Sequence, residues 1–413
     1  MKALKPEGGA ALKISYRSTL GPREAGWIWN WVLARQGLTS STRLPSATAI
    51  ADAALGLHAA RLQSPFATIL ARATDSSVAM GLFGPDTRRD MVTVRCMRKT
   101  LHVLPPQLAA VAHAATVSFR KRDALRAIVN AGLSHSAVDR CIGAIVDLLS
   151  RDGLLFYRHI ERQLIDGRRS QRLVRLALKL AWETGLLVYL NCATALNRED
   201  RRFAVMSEFR PELNMAMDVE HARRQLIEAY FERYGPASLR DAMWWSGLPR
   251  AAILQGLCSA ERETVAIGTP WSESDLFMFR DSFEAFRNER DRTHAERQKS
   301  LNFLAHEDVA LKAYFETRER YLQGAHPRAA FNQIGEALPT IALGGRVIGT
   351  WSWNQKSNSV RWSPIDGLIV KAVRKDLDLQ SHHISDAFRL AVERQPSTGR
   401  RAIPVPRRPA HDD

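Results

Sequence analysis

Apolar positions recur at three- and four-residue intervals over most of the chain, the period that gathers them on one face of a helix. The pattern is clearest in "RRQLIEAYFERYGPASLRDAMWWSGLPRAAILQGLCSAERETVAIG". It predicts a helix from about Arg223 to Tyr234, broken at "GPAS", where Ser238 can accept from the free N–H groups of the next helix. That helix runs from Leu239 to Ser246, and Trp244 and Trp245 give it a large local core. "SGLP" is a tight turn bent at Gly247. Pro249 suits the first turn of the helix Arg250 to Ser259, because its missing N–H costs nothing there. "ETVAI" then reads as a strand. Helix, helix, glycine turn, helix, strand is the order of a winged helix-turn-helix unit.

Two further segments repeat the order. "DALRAIVNAGLSHSAVDRCIGAIVDLLSRDGLLFYRHI" turns at Gly132 and caps at Ser134. A helix from His135 to Arg151 follows, with Val138, Ile142, Ile145, Val146 and Leu149 at helical spacing, and "GLLFYRHI" is expected to be the first wing strand. Near the start, "EAGWIWNWVLARQGL" reads as a helix ending at Gly37, and "SATAIADAALGLHAARLQ" as a helix capped by Ser46. "SPFATILARA" reads as another helix and "VRCMRKTLHVLP" as a strand. After about His326 the period changes to two. "ALPTIALGGRVIGTWSWNQKSNSVRWSPID" alternates apolar and polar residues between turns, a β-meander closed by a helix in "SHHISDAFRLAVERQ". The expected fold is mainly α with α+β wings. Three tandem winged helix-turn-helix units occupy 20–110, 111–215 and 216–325, a small β-barrel or sheet occupies 326–394, and a basic tail, too poor in apolar surface to pack, occupies 395–413.

A chain of 413 residues with 45% hydrophobic and 25% charged residues is expected to fold as several globular units. Lys plus Arg number 59 against 43 for Asp plus Glu, a formal charge of +16. That surplus points to a polyanion, and duplex DNA is the expected partner, because neutralised phosphates release counterions. Cys96, Cys141, Cys192 and Cys258 are widely spaced, form no CxxC pair and read as buried thiols in a reducing compartment. No apolar run reaches about 18 residues, and the start lacks an apolar signal core, so a cytoplasmic monomer away from membranes is expected. His382 and His383 are adjacent and do not share a helix face, and no phosphate loop or nucleophile elbow is present, so neither cofactor nor metal is expected. "FRDSFEAFRNERDRTHAERQ" alternates charge signs and reads as a solvated helix.

Several segments carry a resemblance. "LARQGL" (Leu33 to Leu38), "LGLHAARLQSPFATILAR" (Leu55 to Arg72), "VRCMRKTLHVLP" (Val94 to Pro105), "RYGPASLRDAMWWSGLPRA" (Arg233 to Ala251) and "GRVIGTW" (Gly345 to Trp351) make the chain similar to the AlkZ-like winged-helix DNA glycosylases. The resemblance implies three tandem winged helices and a β-barrel around duplex DNA. It also implies excision of alkylated bases, bulky adducts and interstrand crosslinks included. The chain departs from the family at the residues that matter most. A Gln-x-Gln or Gln-x-Asp pair is expected just after "GL", where this chain has His58, Ala59 and Ala60. The family's "MRGTLH" reads "MRKTLH", with Lys99 for glycine. "AHEDVALKAYFE" replaces the family's "FDP" segment and brings Glu307 and Asp308.

Hydrolysis of an N-glycosidic bond passes through an oxocarbenium-like sugar, and an N-alkylated purine leaves without a general acid. The enzyme must hold a water and avoid added positive charge. Neutral His58 fits that role; its alternative is a helix-end histidine satisfied by hydrogen bonds. Loss of activity at acid pH is expected near the free imidazole value of about 6.5. Arg61, three residues on, shares its helical face if the helix continues that far, and can reach a phosphate. Gln63, the nearby amide, lies roughly 140° away on a helix. In "MRKTLHV", Arg98, Thr100 and His102 alternate on one strand face, with His102 beside the reacting group and Arg98 and Thr100 toward DNA. Arg158, Arg162, Arg168, Arg169 and Arg172 begin a basic run reaching Lys179 and read as a phosphate-contacting wing. Because Ala60 offers no second polar group, a non-catalytic duplex-DNA binder on the same scaffold is the alternative function.

Overall fold

The helix order follows from local signals that the chain satisfies one by one. The computed structural model describes residues 12–84, 89–259, 261–294, 300–365 and 371–394; the basic tail, 395–413, lies outside the described residues. Ser134 accepts from the Ala137 N–H and starts the helix His135–Asp152, which buries Val138, Cys141, Ile145, Leu148 and Leu149 on one face. Ser238 and Asp241 form a reciprocal capping box at the start of the helix Leu239–Ser246. Gly247 ends that helix with φ 77, a left-handed conformation that costs glycine nothing.

Strand β1 (Ile14–Thr19) precedes the helix Pro22–Ala34 and pairs in parallel with β8 (Thr264–Thr269), itself antiparallel to β9 (Ser272–Phe279). A six-stranded sheet has the order β2-β4-β3-β6-β7-β5: β2 (Leu57–His58), β3 (Val92–Arg95), β4 (Leu101–Leu104), β5 (Leu155–Phe156), β6 (Leu187–Asn191) and β7 (Arg201–Val205). Thr93 opposite Tyr189 joins its two hairpins. The last sheet is a meander of β10 (Leu301–Leu304), β11 (Thr340–Leu343), β12 (Arg346–Asn354) and β13 (Ser359–Pro364), covered by the helix Lys371–Glu393. Among the described residues no sheet closes into a barrel, so of the two expected forms the sheet is the one present, and it begins at Leu301 rather than after His326.

One element order recurs three times. A helix is followed by a strand of one or two residues, two helices and a β-hairpin, and the short strand pairs with the hairpin's last strand. The first copy runs Ala47–Ala53, β2, Gln63–Leu70, Ser76–Met80, β3, β4; the second runs His135–Asp152, β5, Tyr157–Leu164, Gln171–Glu183, β6, β7. The third runs Val219–Tyr234, a bridge from Ala237 to Phe277, Leu239–Ser246, Arg250–Ser259, β8, β9. The second copy builds a core of its own around Ile145, Val174 and Phe203; the others share a larger one with the meander. Buried ion pairs cross between segments: Arg72 grips Asp308 through two bonds of 2.7 and 2.9 Å with both side chains fully buried, and Arg120 meets Glu183 at 2.8 Å.

Three sequence expectations are corrected here. The helix capped by Ser46 stops at Ala53, so His58 lies on a strand and Arg61 shares no helix face with it. "VRCMRKTLHVLP" is a hairpin and not one strand: a tight turn at Met97–Lys99, with Arg98 at φ 52 and Lys99 at φ 64, separates β3 from β4. Arg98 therefore does not alternate with Thr100 and His102. "GLLFYRHI" gives a two-residue strand and then the helix Tyr157–Leu164, with the hairpin arriving only at β6 and β7. All four cysteines are free; Cys96 and Cys141 are buried, whereas Cys192 and Cys258 are half-buried.

Candidate active site

A backbone reversal between the helix Ala47–Ala53 and β2 sets the position of His58. Leu55 has φ 48 and Gly56 φ 102, and a Cβ at Gly56 would meet Leu104 Cδ2 at 2.7 Å. Glycine is therefore required by both conformation and space. The reversal pairs β2 with β4, placing His58 directly opposite His102. Their rings lie 5.9 Å apart, edge to face, and the His306 ring lies 6.1 Å from His58 on the other flank.

Both paired histidines are buried, at 7% and 8% exposure. His102 Nδ1 is 3.2 Å from the Thr100 carbonyl, which can only accept, so Nδ1 carries the proton of the neutral ring. His58 Nδ1 is buried without a hydrogen-bond partner in the protein. Burial, then the charges of His306, Lys312 and Arg98, push the His58 pKa down to about 3. Burial and then His58 push His102 down to about 3 as well. Both imidazoles are neutral across the physiological range, which corrects the expectation that His58 titrates near 6.5.

The meander's first loop closes the site. Glu307, at φ 58, accepts from the Ala337 N–H at 2.6 Å and from Lys312 Nζ at 2.7 Å. Lys312 also donates to the Gly335 carbonyl, and burial lowers its pKa to about 8 against the raising effect of Glu307. His306 Nε2 lies 3.7 Å from Glu336 Oε2. Asp308 caps the short helix Val309–Lys312 while holding Arg72. Among the described residues no three His, Cys, Asp or Glu side chains are grouped to hold a metal ion.

The sequence-nominated residues divide into groups. His58 and His102 come together, and the Arg98 charge reaches His58. Arg98 itself stacks on Trp244, its guanidinium carbon 3.8 Å from the ring centre. Thr100 spends its hydroxyl on the Met97 carbonyl at 3.0 Å, closing the turn. Ala60 and Arg61 are exposed, the Ala60 carbonyl accepting from Arg201 at 2.9 Å. Gln63 starts the helix Gln63–Leu70. Arg158 and Arg162 are exposed on the helix Tyr157–Leu164, and Arg168 and Arg172 are exposed at the turn into Gln171–Glu183. Arg169 is held by Asp166 at 3.3 Å. His306, Lys312, Trp244 and Arg318 were not nominated. A cavity of about 60 Å³ lined by Ala59, Val103, Tyr189 and Asn191 lies beside this strand; Ala59 and Val103 alternate with the paired histidines, so it is not the histidine site. Among the described residues no helix is long and apolar enough to cross a membrane.

No curated protein matches the chain by sequence. Among solved structures, the Streptomyces sahachiroi DNA glycosylase AlkZ matches with a TM-score of 0.69 at 20% identity, covering 89% of this chain and 97% of that one. The fold is thus shared although few residues are. The family model "DNA glycosylase AlkZ-like" matches residues 51–385, a span that takes in β2, β4 and the meander loop. The chain belongs to the AlkZ-like DNA glycosylase family.

Proposed function

We propose that the chain is a monofunctional DNA glycosylase acting as a monomer on duplex DNA, hydrolysing the N-glycosidic bond of alkylated or bulky-adduct bases, crosslinked ones included. The observation that carries this reading is His58: a neutral imidazole with an unpartnered Nδ1, set opposite His102 on a strand that the family span contains. The C1′–N bond breaks with its electron pair moving to the base, which cancels the charge of an N-alkylated purine. Water then adds to C1′. His58 holds that water by accepting a hydrogen bond, and His102 fixes the ring from behind. A site this reluctant to protonate does not repel the cationic sugar. A pKa of about 3 makes His58 a weak base, so the released proton passes on to bulk solvent.

The repeated element order supports reading 20–110, 111–215 and 216–325 as three tandem winged helices, with 326–394 as the closing sheet. Arg61, Arg98 and Thr100 then contact DNA beside the site. Arg158, Arg162, Arg168, Arg169 and Arg172 contact it from the helical pair of the second unit, which the exposure of four of these arginines favours.

His58→Ala is expected to lower excision of an N7-alkylguanine from duplex by about 10²-fold, with binding to an uncleavable abasic-site analogue nearly unchanged. Ala60→Gln should raise excision if the pocket still admits a flipped base. The second reading, a non-catalytic lesion binder, is favoured by the exposed methyl group of Ala60. It prevails if wild type and Ala60→Gln both bind alkylated duplex tightly and release no base.

A further inference from the structure

We propose that Arg98, Arg318 and the Trp244 indole form a binding site for one phosphate group, filled in the complex by a phosphodiester of the strand carrying the target base. The second half of this statement rests on the function proposed above. Three cations crowd one indole: the Arg98 guanidinium carbon lies 3.8 Å from its centre, Lys312 Nζ 5.1 Å and the Arg318 guanidinium carbon 5.4 Å. Four buried donor atoms here have no acceptor in the protein: Arg98 Nη1, Arg318 Nε, Arg318 Nη2 and Trp244 Nε1. Buried polar atoms are paired in more than about nine cases in ten, so a cluster of orphans on two arginines calls for an acceptor.

The neighbouring carboxylates do not supply one. Glu307 Oε1 is taken by Lys312 and the Ala337 N–H, and Glu336 Oε2 by Asn332 and the approach of His306. Burial lowers the Arg98 pKa, and Arg318 lowers it further, the repulsion that a bound anion would relieve. A phosphate fits the donor set, because its oxygens accept from guanidinium forks and an indole N–H together. Cation–π stacking alone would hold the arginines on the ring but would leave all four donors unpaired.

The cluster is also built. Asp241, fully buried on the Trp244 helix, accepts from the backbone N–H groups of Phe315 and Glu316, each at 2.7 Å, and from the Thr317 hydroxyl at 2.7 Å. Those residues lead directly into Arg318, so one carboxylate fixes the indole and the arginine relative to each other. Arg98 is presented by the left-handed hairpin tip, backed by Gly247, where a Cβ would lie 3.2 Å from the Arg98 nitrogen. Arg98 also contributes to the field at His58, which puts the phosphate site beside the histidine pair.

The test uses the full chain and duplexes with one uncleavable abasic-site analogue, in which each flanking phosphate in turn is a neutral methylphosphonate. Wild type should lose affinity about tenfold at one position. Arg98→Met and Arg318→Met should each lose about the same with ordinary duplex, should be indifferent to that one position, and should remain sensitive at the others. Trp244→Phe, which keeps a ring and removes one donor, should lose a few-fold. If either arginine variant still responds to every position that matters to wild type, the proposal is wrong. Inorganic phosphate separates the sources. If it raises the melting temperature of wild type but not of Arg318→Met while no methylphosphonate position singles itself out, the site takes free phosphate and the DNA half is wrong. No effect in either arm overturns both halves. Failure of excision on a cleavable duplex, with the methylphosphonate signature intact, refutes the glycosylase and leaves the phosphate site standing.

Discussion

Three histidines are buried as neutral rings, and acidification should expose their cost. Burial is the leading cause in each: it drives His58, His102 and His113 down to about 3, with Arg120 adding to the effect at His113. The unfolded chain has its histidines near the free value of about 6.5. Between about pH 6.5 and 3 the unfolded state therefore binds protons that the folded state refuses. Stability is complete above that window and falls as pH drops through it. From pH 7 to 5 each histidine costs about 2 kcal/mol, so the three together cost about 6 kcal/mol, a large share of a total stability of about 5–15 kcal/mol. Urea unfolding at both pH values reads the loss. His113 is outside the proposed site, so His113→Gln gives the control: glutamine does not titrate, and its loss should be smaller by about 2 kcal/mol. Contributions of other groups cancel in that difference. Equal losses in wild type and variant would refute the account.

Other outcomes follow from the same geometry. Asp308→Ala leaves Arg72 charged and unpaired in a dry interior and should cost about 3–5 kcal/mol in urea unfolding. Gly56→Ala puts a methyl group against Leu104 at a left-handed φ; it should cost about 1–3 kcal/mol and lower excision by displacing His58. Replacing Arg168, Arg169 and Arg172 together by alanine should weaken duplex binding and reduce the slope of log Kd against log salt by about 2, because Arg169 is already engaged with Asp166. An unchanged slope would remove this helix pair from the DNA face. The excision rate should show no inflection near pH 6.5 from His58; one that vanishes in His58→Ala would refute its depressed pKa.

The parts of the fold legible in the sequence are those written in neighbouring residues. Ser134, Ser238 and Gly247 act within a turn of their own helices, and the structure uses each as a cap or stop. The failures are equally physical. A two-residue strand has no alternation to detect, and β2 exists only because β4 pairs with it. The hairpin tip carries Arg98 and Lys99 at positive φ without a glycine to announce the turn; the glycine that the family has at the Lys99 position was the available clue. "LLFY" reads as a strand by residue type, yet Ile160 and Leu164, four apart and both buried, make Tyr157–Leu164 a helix. At the site, His58 and His102 were legible as candidates, whereas His306, Lys312, Trp244 and Arg318 arrive from remote segments with no local signature. Glu307 and Asp308 stood out as a pair of acids, but nothing nearby shows that one would hold Lys312 and the other Arg72.

The threefold element order puts the same two facing positions into the chain three times. In the first copy they hold His58 and His102; in the second, Phe156 faces Arg202, whose guanidinium stacks on the ring at 4.6 Å; in the third, Ala237 bridges to Phe277. A backbone that accepts a histidine pair, a cation on an aromatic ring and a methyl against a phenyl at corresponding places imposes no chemistry of its own. Reactivity here is a property of two side chains and of the remote loop that dries them. Transplanting histidines to Phe156 and Arg202 would reproduce the pairing but not the depressed protonation, because no counterpart of the His306–Lys312 segment covers that copy.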